Sequence, residues 1–236
     1  MSWLAKMIIA TAALAWAMPH VAPAQDMLRY LDLKSDDFTK ADMTRAEIEA
    51  ALAADPNKFV DLSGKRLNGI DLSGLDLRRV KFQSARLNRA NLAGANLDGV
   101  MLDQAWALGA DLTGVSLRGA SLFATQLIGA KLDGADLSDA RLMRGILRSA
   151  NLNGASFENA NLSRAVLEFA LLRDVNLKGA KLNGSELGGA DFHGADVSNA
   201  DFDNADVTST RLAGMRGRDR ARNLDRVRNP ERAIND

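Results

Sequence analysis

The side chains able to do chemistry are few and scattered. Across 236 residues there are two histidines, His20 and His193, and no cysteine. His193 follows Phe192 without a second imidazole or a thiol beside it, and no glycine-rich phosphate loop joins a strand to a helix. A lone imidazole of this kind is expected in solvent. Asp32, Asp36, Asp37 and Asp42 crowd together as calcium ligands do, but they lack the central glycine and closing glutamate of a calcium loop. They are expected to be a solvated acidic linker. Asp203 and Asp206 could bring two carboxylates together, although ordinary surface acids far outnumber hydrolytic pairs. Seven arginines (216, 218, 220, 222, 226, 228 and 232) crowd the last residues, where nucleic-acid binding is one reading. They follow an acidic stretch with Glu186, Asp191, Asp196, Asp201, Asp203 and Asp206, so a tail folded back to neutralise and close that end is the favoured reading. A loose six-residue echo runs through 220–225 and 226–231. No catalytic group, metal or cofactor is expected, and the chain does not read as an enzyme.

These residues sit on a strict internal beat. From Leu62 to Leu212 a large apolar residue recurs every five residues, at 31 positions of which only Ala107, Val197 and Val207 are neither Leu nor Phe. A second series, mostly alanine, precedes it by two: Ala85, Ala90, Ala95, and on to Ala205. Residues two apart point the same way in an extended chain, but five is odd, so each unit must turn or alternate leucines would face water. Glycine closes 16 of the 31 units, where a tight turn wants it. A helical period would scatter the leucines around the axis. The sequence therefore specifies an all-β solenoid.

The number of sides per coil is not given by spacing. Runs such as Ala90-Asn91-Leu92-Ala93-Gly94 and Ala190-Asp191-Phe192-His193-Gly194 resemble the units of the pentapeptide-repeat family, over about two-thirds of the chain. The resemblance implies a right-handed, quadrilateral (four-sided) β-helix with one unit per side and a coil of twenty residues. It also implies two functional classes: a non-enzymatic scaffold, or a DNA mimic that binds a topoisomerase and confers resistance to its inhibitors. On four sides, 31 units make nearly eight coils, a rod roughly 37 Å long.

Four segments follow. Residues 1–24 read as an export signal, with Lys6, an apolar run from Met7 to Met18, and a small-residue site at Ala22-Pro23-Ala24. The run is short for a bilayer-spanning helix, so cleavage after Ala24, a periplasmic or secreted protein and no membrane insertion after signal removal are expected. Residues 25–59 form a linker and helical cap: Thr44 and Glu47 make a capping box, and Asp55-Pro56 ends the helix. Residues 60–214 are the repeat, and 215–236 the arginine-rich tail. The charges balance, 30 basic against 30 acidic. A net charge near zero gives no bulk attraction to nucleic acid, although early coils are basic and late coils acidic.

Stacking residues twenty apart exposes one anomaly. On the side centred on Ala107, Leu127, Leu147 and Leu167, the outward positions hold Trp106, Leu108, Ile128, Ile146 and Val166. Phe123 and Met143 stack at the adjoining corner, with Met101 nearby. An apolar strip of this extent marks an interface for a protein partner or a second copy in a homodimer, unless a loop or the N-terminal segment covers it or the side chains lie flat. The small Ala107 leaves room for the Trp106 indole to tuck partly inward.

Overall fold

The computed structural model describes residues 31–234; the expected export signal lies outside the described residues. From Lys34 onward the chain forms one compact unit.

The repeat winds with a twenty-residue register. Successive parallel bridges join residue i to i + 20 at four places per coil, as in Arg66↔Arg86, Asp71↔Asn91, Asp76↔Asn96 and Lys81↔Met101. The solenoid is thus four-sided, one five-residue unit per side. Among the described residues, only β1 (Val60–Asp61) and β2 (Val80–Lys81) extend over two paired residues, in parallel at Val60↔Val80. Each remaining side contributes a single bridge because the chain turns again after two or three extended residues. The bridges are backed by two bonds per unit: the Leu67 N–H donates to the Arg86 carbonyl at 2.7 Å, and the Arg86 N–H to the Lys65 carbonyl at 2.8 Å. Polar backbone inside the rod is satisfied between coils, as parallel pairing requires.

All 31 central positions are buried, and the alanine series beside them is almost wholly so. Burying each leucine contributes on the order of 1.5–3 kcal/mol. Where the alanine series is broken by a hydroxyl, the outcome varies. Thr125 Oγ1 donates to the Leu102 carbonyl and Thr210 Oγ1 to the Leu187 carbonyl, both at 2.8 Å. Ser185, fully buried, leaves its Oγ without a partner.

Turns close each unit through a bond such as Ala85 N–H to the Phe82 carbonyl, 2.9 Å, with positive φ at the residue before it. Glycine accepts that conformation freely; Phe169 adopts it at φ 59° against steric preference.

The ends are built differently. Helix α1 (Asp36–Thr39) and helix α2 (Arg45–Ala54) precede the repeat, and α2 begins with the expected capping box between Thr44 and Glu47. Ile48 of α2 is buried in the core cluster of the rod. Arg79 caps the far end of α2, donating to the carbonyls of Leu52, Asp55 and Lys58 at 2.9–3.0 Å. The acidic segment stays largely exposed, but it is fastened to the rod rather than a free linker. Asp42 grips the Arg66 guanidinium at 2.7 and 2.9 Å, Asp37 pairs with Arg86, and Ala41 bridges Leu67 in antiparallel sense.

The arginine tail does not fold back; it continues the winding. Bridges Asp201↔Arg222, Asp206↔Arg228 and Arg211↔Ile234 carry it over the last repeats, now in steps of six. The extra residue is taken up by 3₁₀ turns at Arg218–Arg220, Leu224–Arg226 and Pro230–Arg232. Left-handed Gly217, Asn223 and Asn229 open them, at φ 68°, 58° and 59°. Arg226 meets Asp203 at 3.0 Å and Arg228 approaches Asp206 at 3.9 Å, so the tail places positive charge on the acidic end.

Candidate functional site

One of the four sides differs from the rest. Its outward bridge column runs Arg66, Arg86, Trp106, Gln126, Ile146, Val166, Glu186, Asp206 and Arg228. In its first coils this side is already occupied. Asn68 donates to the carbonyls of Asp37 and Lys40 at 3.1 and 2.8 Å, its Oδ1 accepts from Asn88 at 2.9 Å, and Asn88 in turn accepts from the Leu108 N–H at 3.1 Å. This ladder holds residues 37–42 against the side. Phe38 from α1 then meets the Trp106 ring edge-on, centroids 5.7 Å apart. The Trp106 indole is half-buried against Phe38, beside the buried Ala107.

Beyond Trp106 the apolar surface is partly exposed. Leu108 and Ile128 are half-buried, as are Ile146 and Val166, with Gln126 interposed between Trp106 and Ile146 in the column. Phe123 is half-buried and Met143 more exposed at the adjoining corner. Met101 lies on the neighbouring side between Lys81 and Ser121, where its sulfur accepts from Gln83. The register thus assembles Leu108, Ile128, Ile146 and Val166, gives Trp106 to the N-terminal segment, and leaves Met101 apart.

Further along the same side lies a cavity of about 350 Å³, lined by Glu168, Phe169, Glu186, Asp206, Thr208 and Arg228 over a floor of Gly188 and Gly189. Arg148, buried in the next coil down, pairs with Glu168 and keeps its Nε without a partner. Burial pushes the Glu186 carboxyl above its ordinary range, the nearby Glu168 carboxylate adds to this, and Arg228 and Arg148 oppose it. For Asp206, burial raises the carboxyl but bonds from Thr208 and Asn229 outweigh it, and the net shift is downward.

The five-residue repeat matches one family model. Pentapeptide repeats align in eight copies over residues 58–92, 76–119, 109–139, 120–159, 147–179 and 170–208. The chain belongs to the pentapeptide-repeat family. Among solved structures, this pentapeptide-repeat protein is similar to HetL of the cyanobacterium Nostoc sp. strain PCC 7120, described as involved in heterocyst differentiation regulation. That match has 26% identity, covers 81% of this chain and 99% of HetL, and has a TM-score of 0.54. It is also similar to QnrB1, a plasmid-mediated fluoroquinolone resistance protein, at 23% identity over 69% of this chain and 80% of that one, TM-score 0.37. A third, from the Arabidopsis thaliana thylakoid lumen, is 24% identical over 57% of this chain and 69% of that one, TM-score 0.18. No curated protein matches.

Other predicted groups in this pentapeptide-repeat rod separate. Asp203 serves Arg226 and Asn204, whereas Asp206 serves Thr208, Asn229 and Arg228. His193 is exposed. Among the described residues no group of acids or histidine is arranged to hold a metal ion. The cavity was missed from sequence because its acids, Glu168, Glu186 and Asp206, lie 18 and 20 residues apart and look like ordinary turn and side positions. The available signal was Phe169, an aromatic at a position that elsewhere holds Gly, Asn, Asp, Ser or another non-aromatic residue, with the Gly188-Gly189 pair one coil later.

Proposed function

We propose that this chain is a protein-binding scaffold: a rigid, right-handed four-sided rod, exported from the cytoplasm, that presents one lateral side to a protein partner or to a second copy of itself. The observation that carries this reading is the strip Leu108, Ile128, Ile146 and Val166, outward-facing yet apolar, where the corresponding positions of the other sides are mainly Asp, Asn, Ser and Lys. Apolar groups gathered on the outer face of a wall gain by being covered. Among the described residues, the N-terminal segment covers the first part of this side, through Phe38 on Trp106. The rod also suits binding more than catalysis, because its side chains are held by a stacked backbone with no moving element between them.

The alternative reading, a DNA mimic directed at a topoisomerase, asks for a continuous negative surface. Here the late acids are matched: Asp191 by Arg173 and Arg211, Asp203 by Arg226, and Asp206 by Arg228. The scaffold reading is favoured for that reason. A photoreactive residue at position 146 tests it in intact cells. It should yield one discrete crosslinked species, lost when Ile128→Lys is added while the melting curve stays put. A smear, or an unchanged crosslink in the Ile128→Lys background, would reject the wall as an interface.

A further inference from the structure

The cavity beyond Val166 has a composition unlike the strip that leads to it. Its three carboxylates are not equivalent. Glu168 is held by Arg148, whose side chain is only 8% exposed and whose Nε remains buried without a partner beneath the cavity. Asp206 is occupied by Thr208, Asn229 and Arg228. Among the described residues Glu186 makes no ion pair or side-chain hydrogen bond; Arg228 on the cavity wall and Arg148 act on it only from a distance, and its backbone bridges Val166 and Asp206. Glu186 is exposed to the cavity, and the repulsion of Glu168 and Asp206 is only partly offset by Arg228 and Arg148, so it can take up a further cation.

The wall beside it is aromatic. Phe169 is 60% exposed and lies over Gly189, where an added Cβ would come within 2.7 Å of the ring. The double glycine therefore makes both the room for the ring and the floor of the cavity. The volume, about 350 Å³, is at the small end of ligand pockets. A metal ion is a poor fit, because no acid cluster among the described residues has the arrangement to hold one. A flat or tetrahedral organic cation fits better, since one carboxylate and one ring face can engage it together.

We propose that this cavity binds a guanidinium or primary ammonium group, with Glu186 as its counter-charge and the Phe169 ring as its wall. The favoured source is an arginine or lysine side chain of a polypeptide lying along the same side, since Ile146, Val166 and Glu186 form one column. That choice of source rests on reading this side as a binding wall; the cation chemistry does not.

The test titrates agmatine, a short arginine-containing peptide and its alanine counterpart into the full-length chain, followed by calorimetry and by the Phe169 ring resonances. Agmatine should saturate one site and shift those resonances. Affinity should fall about tenfold or more in Glu186→Gln and about threefold in Phe169→Leu. Gly188→Leu should block the site, because a Cβ at Gly188 meets nothing closer than 3.6 Å and the longer chain enters the cavity. Melting curves of all three variants check that the rod is intact, and Glu186→Gln, nearly isosteric, keeps the test decisive if Gly188→Leu fails to fold. Tighter binding of the arginine peptide than of agmatine assigns the source to a polypeptide, and equal binding to a free amine; both support the site. No saturable binding of either probe, or unchanged affinity in Glu186→Gln, overturns it. Retained agmatine binding with no crosslink from position 146 would fail the wall reading alone.

Discussion

Ser185 and Phe169 are the two residues whose local chemistry runs against the repeat, and each makes a separate forecast. Ser185 stands in the alanine series with its hydroxyl buried and unpartnered. Leaving such a group unmade costs about 1–3 kcal/mol, so Ser185→Ala should raise stability by about 1 kcal/mol in a denaturant titration. The same change at Thr210, whose hydroxyl reaches the Leu187 carbonyl, should lower it. Phe169 sits in the left-handed region at φ 59°. Replacing it with Asn, which tolerates that conformation, should stabilise the rod by about 1 kcal/mol while weakening cation binding. A variant that gains stability and loses a ligand marks a residue retained for function. The regular positions were readable in advance: every leucine and phenylalanine of the five-residue series is buried. The two exceptions were not, because a buried serine and an exposed phenylalanine differ from their neighbours only once coils are stacked.

Among the elements, the N-terminal helices are the part whose sequence signals were strong locally and silent globally. Thr44 and Glu47 announced the start of α2, and the capping box is there. Thr44→Ala should cost about 0.5–2 kcal/mol. Where α2 is fastened could not be read, since the fastening is made by residues far away in sequence: Arg79 on the last carbonyls of α2, Arg66 on Asp42, Arg86 on Asp37. The acidic run looked like a linker because its partners belong to later coils. The Arg66 bonds hold the Asp42 carboxyl below its ordinary 3.8, with burial opposing them. Bonds from Arg78 take Asp76 down to about 2. A carboxylate depressed in the folded state contributes stability that is present above 3.8 and lost as pH falls through its folded value. Glu186 has the opposite sign: its carboxyl is raised, so the folded state loses stability as pH rises through that raised value. Thermal melts should therefore fall off below pH ~4, and less steeply in Asp42→Asn, which removes one of the depressed groups. A melting temperature flat down to pH ~2 would show that these pairs contribute nothing.

At the scale of the whole molecule, function depends on vertical neighbours that the linear sequence keeps twenty residues apart. The apolar strip, the asparagine ladder and the cation cavity exist only in that register. The five-residue beat showed that the chain turns, but four sides came from family resemblance and then from the bridge pattern. The proposed export belongs to this scale too. The mature protein should begin at Gln25 and be recovered outside the cytoplasm, which N-terminal sequencing of fractionated cells would decide. The most direct test of the account uses the chain's lack of cysteine. Ser116 bridges Asp136 in parallel, close enough for a disulfide. Cysteines at 116 and 136 should crosslink rapidly on mild oxidation with the melting curve preserved, while cysteines at 116 and 131, the pairing of a three-sided coil, should not. Fast crosslinking of the 116–131 pair with none from 116–136 would contradict the four-sided register and every column built on it.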